Sequence, residues 1–290
     1  MKEIFKKIII KILTFEAKIL LKRTQPQIIA VTGSVGKTSI KDAVFEVLKG
    51  HSHVRKSEKS FNSEIGVPLS VLGLPNAWNN PFKWIKNILD GAITVIHPGK
   101  YPKVLVLEMG VDRPGDMDRL TAWIKPDVVV LSRLPDVPVH VEYFSSPEAV
   151  AAEKEKLVRA LKADGVLVYN QDDEKVVKIA KSIFQQSIGY SRYASSPFMA
   201  SKDKIIYEHG KAVGYEFTLS HLDDIVQTRV LGSLGVQHAY NYAAAAAVAS
   251  AYGISLQEVV SALESHVPPP GRMRLISGIK DTLIIDDTYN

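Results

Sequence analysis

One stretch constrains the fold more than any other: Ile28-Ile29-Ala30-Val31-Thr32-Gly33-Ser34-Val35-Gly36-Lys37-Thr38-Ser39. Four apolar residues predict a short buried strand, and a glycine-bearing turn follows. Ile40, Ala43, Val44, Val47 and Leu48 then recur at helical spacing as far as Lys49. Strand, glycine turn and helix together make a phosphate-binding loop. Backbone N–H groups and the positive end of the helix dipole face an anion, Lys37 adds a mobile charge, and the Thr38 hydroxyl can ligate Mg²⁺. The strict pattern asks for glycine where Val31 stands, so the loop is the variant T-G-x-x-G-K-T-S.

The rest of the chain supplies the frame for that loop. Residues 104–110 read as a buried strand ending in Glu108, Met109 and Gly110. In a parallel sheet this puts Glu108 at the carboxyl edge beside the loop, where a carboxylate holds Mg²⁺ directly or through water. Residues 127–131 and 165–169 read as further strands, the second running into Asn170-Gln171-Asp172-Asp173. Between them lie His140 and Glu142 in a loop, and a helix opening at Ser146-Pro147-Glu148 that contains Lys154. Residues 75–101 read as an irregular insert with one helix near 84–89, its aromatics used for packing. Short alternating runs over 205–230 predict antiparallel strands appended to the sheet. An alanine-rich helix follows Gly235, Pro268-Pro269-Pro270-Gly271 is a linker, and residues 283–287 form a last strand. The fold class is therefore α/β, a mostly parallel sheet with helices on both faces and a small antiparallel extension.

Charge and composition narrow the function. The chain has 290 residues, a net charge of +5 and no cysteine, which excludes disulfides, thiolate metal sites and a cysteine nucleophile. Lys2, Lys6, Lys7, Lys11, Lys18, Lys22 and Arg23 face only Glu3 and Glu16 in the first 23 residues. The remainder is close to neutral, against a general nucleic-acid binder. Lysines interrupt residues 1–27 too often for a membrane span, and no small-residue cleavage site follows, so neither a spanning helix nor a signal peptide fits. They predict an amphipathic basic helix, which either lies on an anionic membrane surface through residues 1–23 or packs on its own domain behind a solvated lysine face.

Nine segments taken in order resemble the Mur ligase family, most closely its branch that adds D-alanyl-D-alanine to a UDP-N-acetylmuramoyl tripeptide. They are residues 32–39, 62–68, 108–110 with 115–116, 140–144, Lys154, 170–173, 235–244, 271–273 and 286–290. The resemblance implies that Thr32, Gly33, Ser34, Val35, Gly36, Lys37, Thr38 and Ser39 hold the phosphates of ATP. It puts Thr38 and Glu108 on one Mg²⁺ ion, and His140 and Lys154 on a second, with Lys154 carbamylated to make it an anion. Asn241 would contact adenine, Arg272 and Asp287 would grip the nucleotide, and Asn62 would stand near the muramoyl substrate. The family's G-x-H-N-x-x-N reads Gly235-Val236-Gln237-His238-Ala239-Tyr240-Asn241 here.

The implied organisation is an N-terminal helix over 1–27, a central ATP-binding domain over 28–270, and a linker with the first strand of a missing C-terminal domain over 271–290. The implied activity is a cytoplasmic ATP-dependent amide ligase of cell-wall synthesis, at the inner face of the membrane if the first helix touches lipid. The alternatives are a non-autonomous ATP-binding subunit whose partner supplies the acceptor site, and a ligase of the folate polyglutamate type.

Overall fold

The computed structural model describes residues 2–58, 61–136 and 143–288. The chain opens with helix α1 (Lys2–Thr24), followed by strand β1 (Gln27–Thr32), helix α2 (Lys37–Leu48) and strand β2 (Val54–Lys56). Helices α3 (Gly66–Leu72) and α4 (Pro81–Ile96) precede β3 (Val104–Glu108), α5 (Asp116–Thr121) and β4 (Val128–Leu131). Next come α6 (Pro147–Arg159), β5 (Val166–Asn170), α7 (Glu174–Lys181) and β6 (Gln186–Ser191). The long strands β7 (Phe198–Glu208), β8 (Lys211–His221) and β9 (Asp224–Leu231) lead to α8 (Gln237–Ser250) and α9 (Leu256–Glu264). A hairpin of β10 (Arg274–Ser277) and β11 (Leu283–Asp286) closes the described chain.

Nine strands form one sheet in the order β2-β3-β1-β4-β5-β6-β7-β8-β9. Pairing is parallel from β2 to β7 and antiparallel from β7 to β9, as the alternating runs predict. The central strands β1, β3 and β4 are apolar through their interior positions, with polar residues only at their ends, because both faces are covered. Successive side chains point to opposite faces. Ile29, Val31, Val106 and Val130 therefore join the core under α2, α8 and α9. Ile28, Ala30, Leu107 and Val129 join the core on the other face, under α1, α3, α5 and α6. The alanine run of α8 is buried along most of its length, which brings that helix close against α2.

Three elements depart from the sequence reading. The helix expected near residues 84–89 is the sixteen-residue α4, started by the Asn80 cap and Pro81 and running through the buried Gly91 to His97-Pro98. Its Trp84 packs inside, but Phe82 and the preceding Trp78 are exposed. Strand β6 carries a polar sequence with no apolar run to betray it, and β2 is only three residues long. The first helix does form, and its Ile9, Leu13, Ala17 and Leu20 lie in the core beside α3 and α4. No helix among the described residues is long and apolar enough to cross a membrane.

Candidate nucleotide-binding site

The site grows from the carboxyl ends of β1, β3 and β4. Register pairs Val31 with Glu108 and Thr32 with Leu131, so the loop after β1 lies between the ends of its two neighbours. Gly33 (φ +131°) and Gly36 (φ +83°) bend the loop through conformations that side chains rarely adopt. A β-carbon on Gly33 would collide with the Ser132 hydroxyl, which itself donates to the Val35 carbonyl at 2.6 Å. Ser34 N–H donates to the Arg133 carbonyl at 2.9 Å. These bonds hold the loop against the end of β4.

Gly36 is the N-cap of α2, and no side chain caps that helix; its first turn carries no acid. The amides of that turn and the positive end of the helix dipole therefore face outward with no protein anion on them. Cations crowd the same place. Burial holds the Lys37 ammonium below its usual pKa, Glu108 opposes that shift, and Arg272 adds to it. Lys154, buried on α6, donates to Ser34 Oγ at 2.7 Å. Burial, then the charge of Lys37, bring its pKa down to about 7. Lys37 and Arg272 beside an uncapped helix start make a well for a polyanion.

Glu108 forms the floor. Its Oε2 accepts from Thr38 Oγ1 at 2.9 Å and its Oε1 from Asn62 Nδ2 at 3.0 Å. The buried Lys41 lies 3.9 Å from Oε2, and Ser57 Oγ accepts from the Glu108 backbone N–H. A threonine hydroxyl and a buried carboxylate facing one another at this distance fit a hard divalent cation that keeps most of its waters. Among the described residues no group of three or more His, Asp or Glu side chains is placed to hold a metal, so this pair stands alone.

On the far side, Asn241 Oδ1 lies 3.2 Å from where a β-carbon on Gly36 would be, so the helix α8 reaches the loop. His238, one turn earlier, is buried against Ser233. Its Nε2 lies 2.7 Å from Ser233 Oγ, which also lies 3.0 and 2.9 Å from the carbonyls of Arg272 and Met273. Those carbonyls can only accept, so the hydroxyl proton goes to them and His238 Nε2–H donates to the hydroxyl. Burial, then His266, push His238 down to about 4, opposed by the Leu234 carbonyl, so it is neutral near pH 7.

The structure thus gathers residues 32–39, Asn62, Glu108, Lys154, Asn241 and Arg272 around one loop. Asp287 is exposed beyond β11, where its neighbour Asp286 accepts from Gly271 N–H at 3.0 Å. His140 and Glu142 lie outside the described residues. Sequence reasoning missed Ser132, Ser57 and Lys41. A lone serine after a strand gives no signal, and a lysine inside a helix reads as solvated.

A mostly parallel sheet with this loop at the ends of its central strands defines a phosphate-loop α/β domain. Residues 31–249 match the family model described as the Mur ligase middle domain, and the chain belongs to the Mur ligase family. The UDP-N-acetylmuramoyl-tripeptide--D-alanyl-D-alanine ligase of Bacillus subtilis is 28% identical over 277 residues, covering 94% of this chain and 52% of that protein. The enzyme of that name from Mycobacterium leprae is 31% identical over 273 residues, 91% of this chain and 47% of that protein. The crystal structure of MurF ligase from Thermotoga maritima in complex with ADP matches 97% of this chain and 57% of that one, with a TM-score of 0.77 and 24% identity. The chain spans about half the length of the curated relatives it matches.

Proposed function

We propose that this chain is the ATP-using core of a ligase that joins a UDP-muramoyl-peptide carboxylate to an amine such as D-alanyl-D-alanine. The observation that supports it best is the uncapped start of α2 beside Lys37 and Arg272 above the Thr38–Glu108 pair. Phosphates would lie on the amides of residues 36–39, with Lys37 reaching the terminal phosphate. The carboxylate oxygen of the substrate attacks the γ-phosphorus and ADP departs, leaving an acyl phosphate. The amine nitrogen then attacks the acyl carbon, phosphate leaves, and the amine's proton passes to solvent. Two anions must approach one another in the first step, and the cations around the loop lower that cost.

Thr38 and Glu108 would hold one Mg²⁺, and a carbamylated Lys154 with His140 a second. Bound metal would supply charge neutralisation on the phosphate oxygens. Asn62 fixes the Glu108 carboxylate from the side opposite Thr38, and Asn241 and Arg272 stand where adenine and the phosphates would be gripped. Nothing in this scheme asks for a protein nucleophile.

The deciding experiment follows phosphate and amide formation by this chain with ATP, Mg²⁺ and a UDP-muramoyl tripeptide, with and without D-alanyl-D-alanine. Dipeptide-dependent phosphate release with amide formation, abolished in Lys37→Ala, is the expected result for a self-sufficient ligase. The chain's coverage of only half of its relatives favours a second reading, a core that needs a partner or further domain to supply the acceptor site. ATP binding with no amide, restored by that partner, would mark it. Failure to bind ATP would overturn both.

A further inference from the structure

Helix α4 is apolar on both of its faces. Trp84 and Gly91 turn inward against the domain. Phe82, Ile85, Leu89, Ile93 and Ile96 are all exposed, at spacings of three and four residues. At about 100° per residue they fall within an arc of roughly 80°, so they form one straight ridge along the helix. Lys83, Lys86 and Asp90 lie between these two faces, so α4 presents one apolar stripe inward and a second to solvent, where an amphipathic surface helix presents only the first. Trp78, 74% exposed, stands just before this ridge.

Helix α1 packs beside α4 and extends the same surface. Phe5, Lys6 and Ile9 share a cavity with Trp78, Pro81 and Trp84. The exposed Ile4, Phe5, Ile8 and Phe15 continue the apolar surface on α1. Around it stand exposed Lys6, Lys7, Lys11, Lys18, Lys22 and Lys83, none with a carboxylate partner among the described residues. The two acids on these helices whose side chains are described do not offset them. Glu16 is buried with its carboxylate turned toward Gly91, and Asp90 is taken by Lys86.

We propose that the ridge of α4, with the outer face of α1, seats the protein on an anionic phospholipid bilayer. The charge pattern selects the occupant. A cation-rimmed apolar ridge complements a surface with acyl chains below and anionic headgroups above. A second copy of this chain would bring two rows of unpaired lysines together, which opposes association. The ridge runs along one exposed face of a single helix, an arrangement that can lie in a planar interface, and an exposed tryptophan at its end suits the headgroup level.

The test is cosedimentation of the 290-residue chain with vesicles of phosphatidylglycerol and phosphatidylcholine, against phosphatidylcholine alone, at low and high salt. Binding should require the anionic lipid and weaken with salt, and tryptophan emission should shift to the blue in the wild type but much less in Trp78→Phe. The exposed triple variant Phe82→Ser, Leu89→Ser, Ile93→Ser should bind at least about tenfold more weakly. The charge variant Lys6→Glu with Lys83→Glu should lose a similar factor on anionic vesicles while keeping the wild-type melting curve, and it decides the matter if the serine variant fails to fold. Absence of binding to anionic vesicles, or binding that neither variant alters, overturns the proposal. So does a concentration-dependent dimer, dissolved by the serine variant, in a chain that ignores vesicles.

Discussion

Thr38 Oγ1 donates a 2.9 Å hydrogen bond to Glu108 Oε2 across the gap between the first turn of α2 and the end of β3. The two oxygens meet because β1 and β3 are parallel neighbours, with Val31 opposite Glu108. If this pair is where the metal of a nucleotide complex sits, each partner matters to metal-assisted binding more than to folding. Titration calorimetry of ADP with and without Mg²⁺ should show the Mg²⁺ enhancement in the wild type. Thr38→Ala and Glu108→Gln should each reduce it by about tenfold or more. Thr38→Ala should cost only about 1 kcal/mol of stability, since Glu108 keeps its bond from Asn62. An undiminished Mg²⁺ effect in Glu108→Gln would remove the carboxylate from the metal site.

Gly33 is fixed twice over. Its φ of +131° is strained for any side chain, and the position of a β-carbon is filled by the Ser132 hydroxyl. Gly33→Ala should therefore lower stability by about 2–4 kcal/mol and distort the loop enough to abolish nucleotide binding. Adding Ser132→Ala removes the clash with the hydroxyl but leaves the Ser132 β-carbon 3.0 Å away and the backbone strain in place. Denaturant melts should show the double variant recovering part of the loss and no more. Full recovery would mean that the backbone at Gly33 carries no strain of its own.

The same two positions explain what could be read in advance. Gly33 and Gly36 announce themselves because only glycine suits the turn, and the apolar runs around Val31, Val106 and Val130 announce a sheet buried on both sides. Residues whose role depends on distant neighbours gave no such sign. Ser132 matters only because β4 lies next to β1, and Lys41 only because its helix turns that side chain toward Glu108. His238 stands where the family motif has asparagine, and its ring is bonded to Ser233, which in turn bonds the linker. A motif fixes which residues are present and not which way a buried ring turns. Strand β6 was invisible for another reason: it lies between β5 and β7, and its hydrogen bonds come from those neighbours rather than from its own apolar pattern.

Ser233 ties α8 to the linker by accepting from His238 while donating toward the carbonyls of Arg272 and Met273. Ser233→Ala would leave a buried imidazole N–H without its acceptor and release the linker that carries Arg272. The expected cost is about 1–3 kcal/mol by denaturant melts. Cleavage by an added protease should quicken near residues 268–274. A variant as stable as the wild type and cut no faster would show that the linker is held by other contacts.

Glu16 should give the chain a stability that falls as pH rises. Its side chain is only 7% exposed, lies against Gly91 of α4, and leaves Oε2 without a hydrogen-bond partner in the described structure. Burial raises its pKa from 4.5 to about 7. For an acid shifted upward, the folded state holds the proton that the unfolded chain releases. Its contribution is most favourable below pH 4.5 and is lost as pH climbs to about 7. Glu16→Gln keeps the shape of the protonated side chain and removes the titration. The variant should match the wild type near pH 4.5 and exceed it by about 2 kcal/mol near pH 8, read as a higher melting temperature at the alkaline end only. Parallel melting curves across that range would mean that the Glu16 carboxylate reaches water in the folded protein.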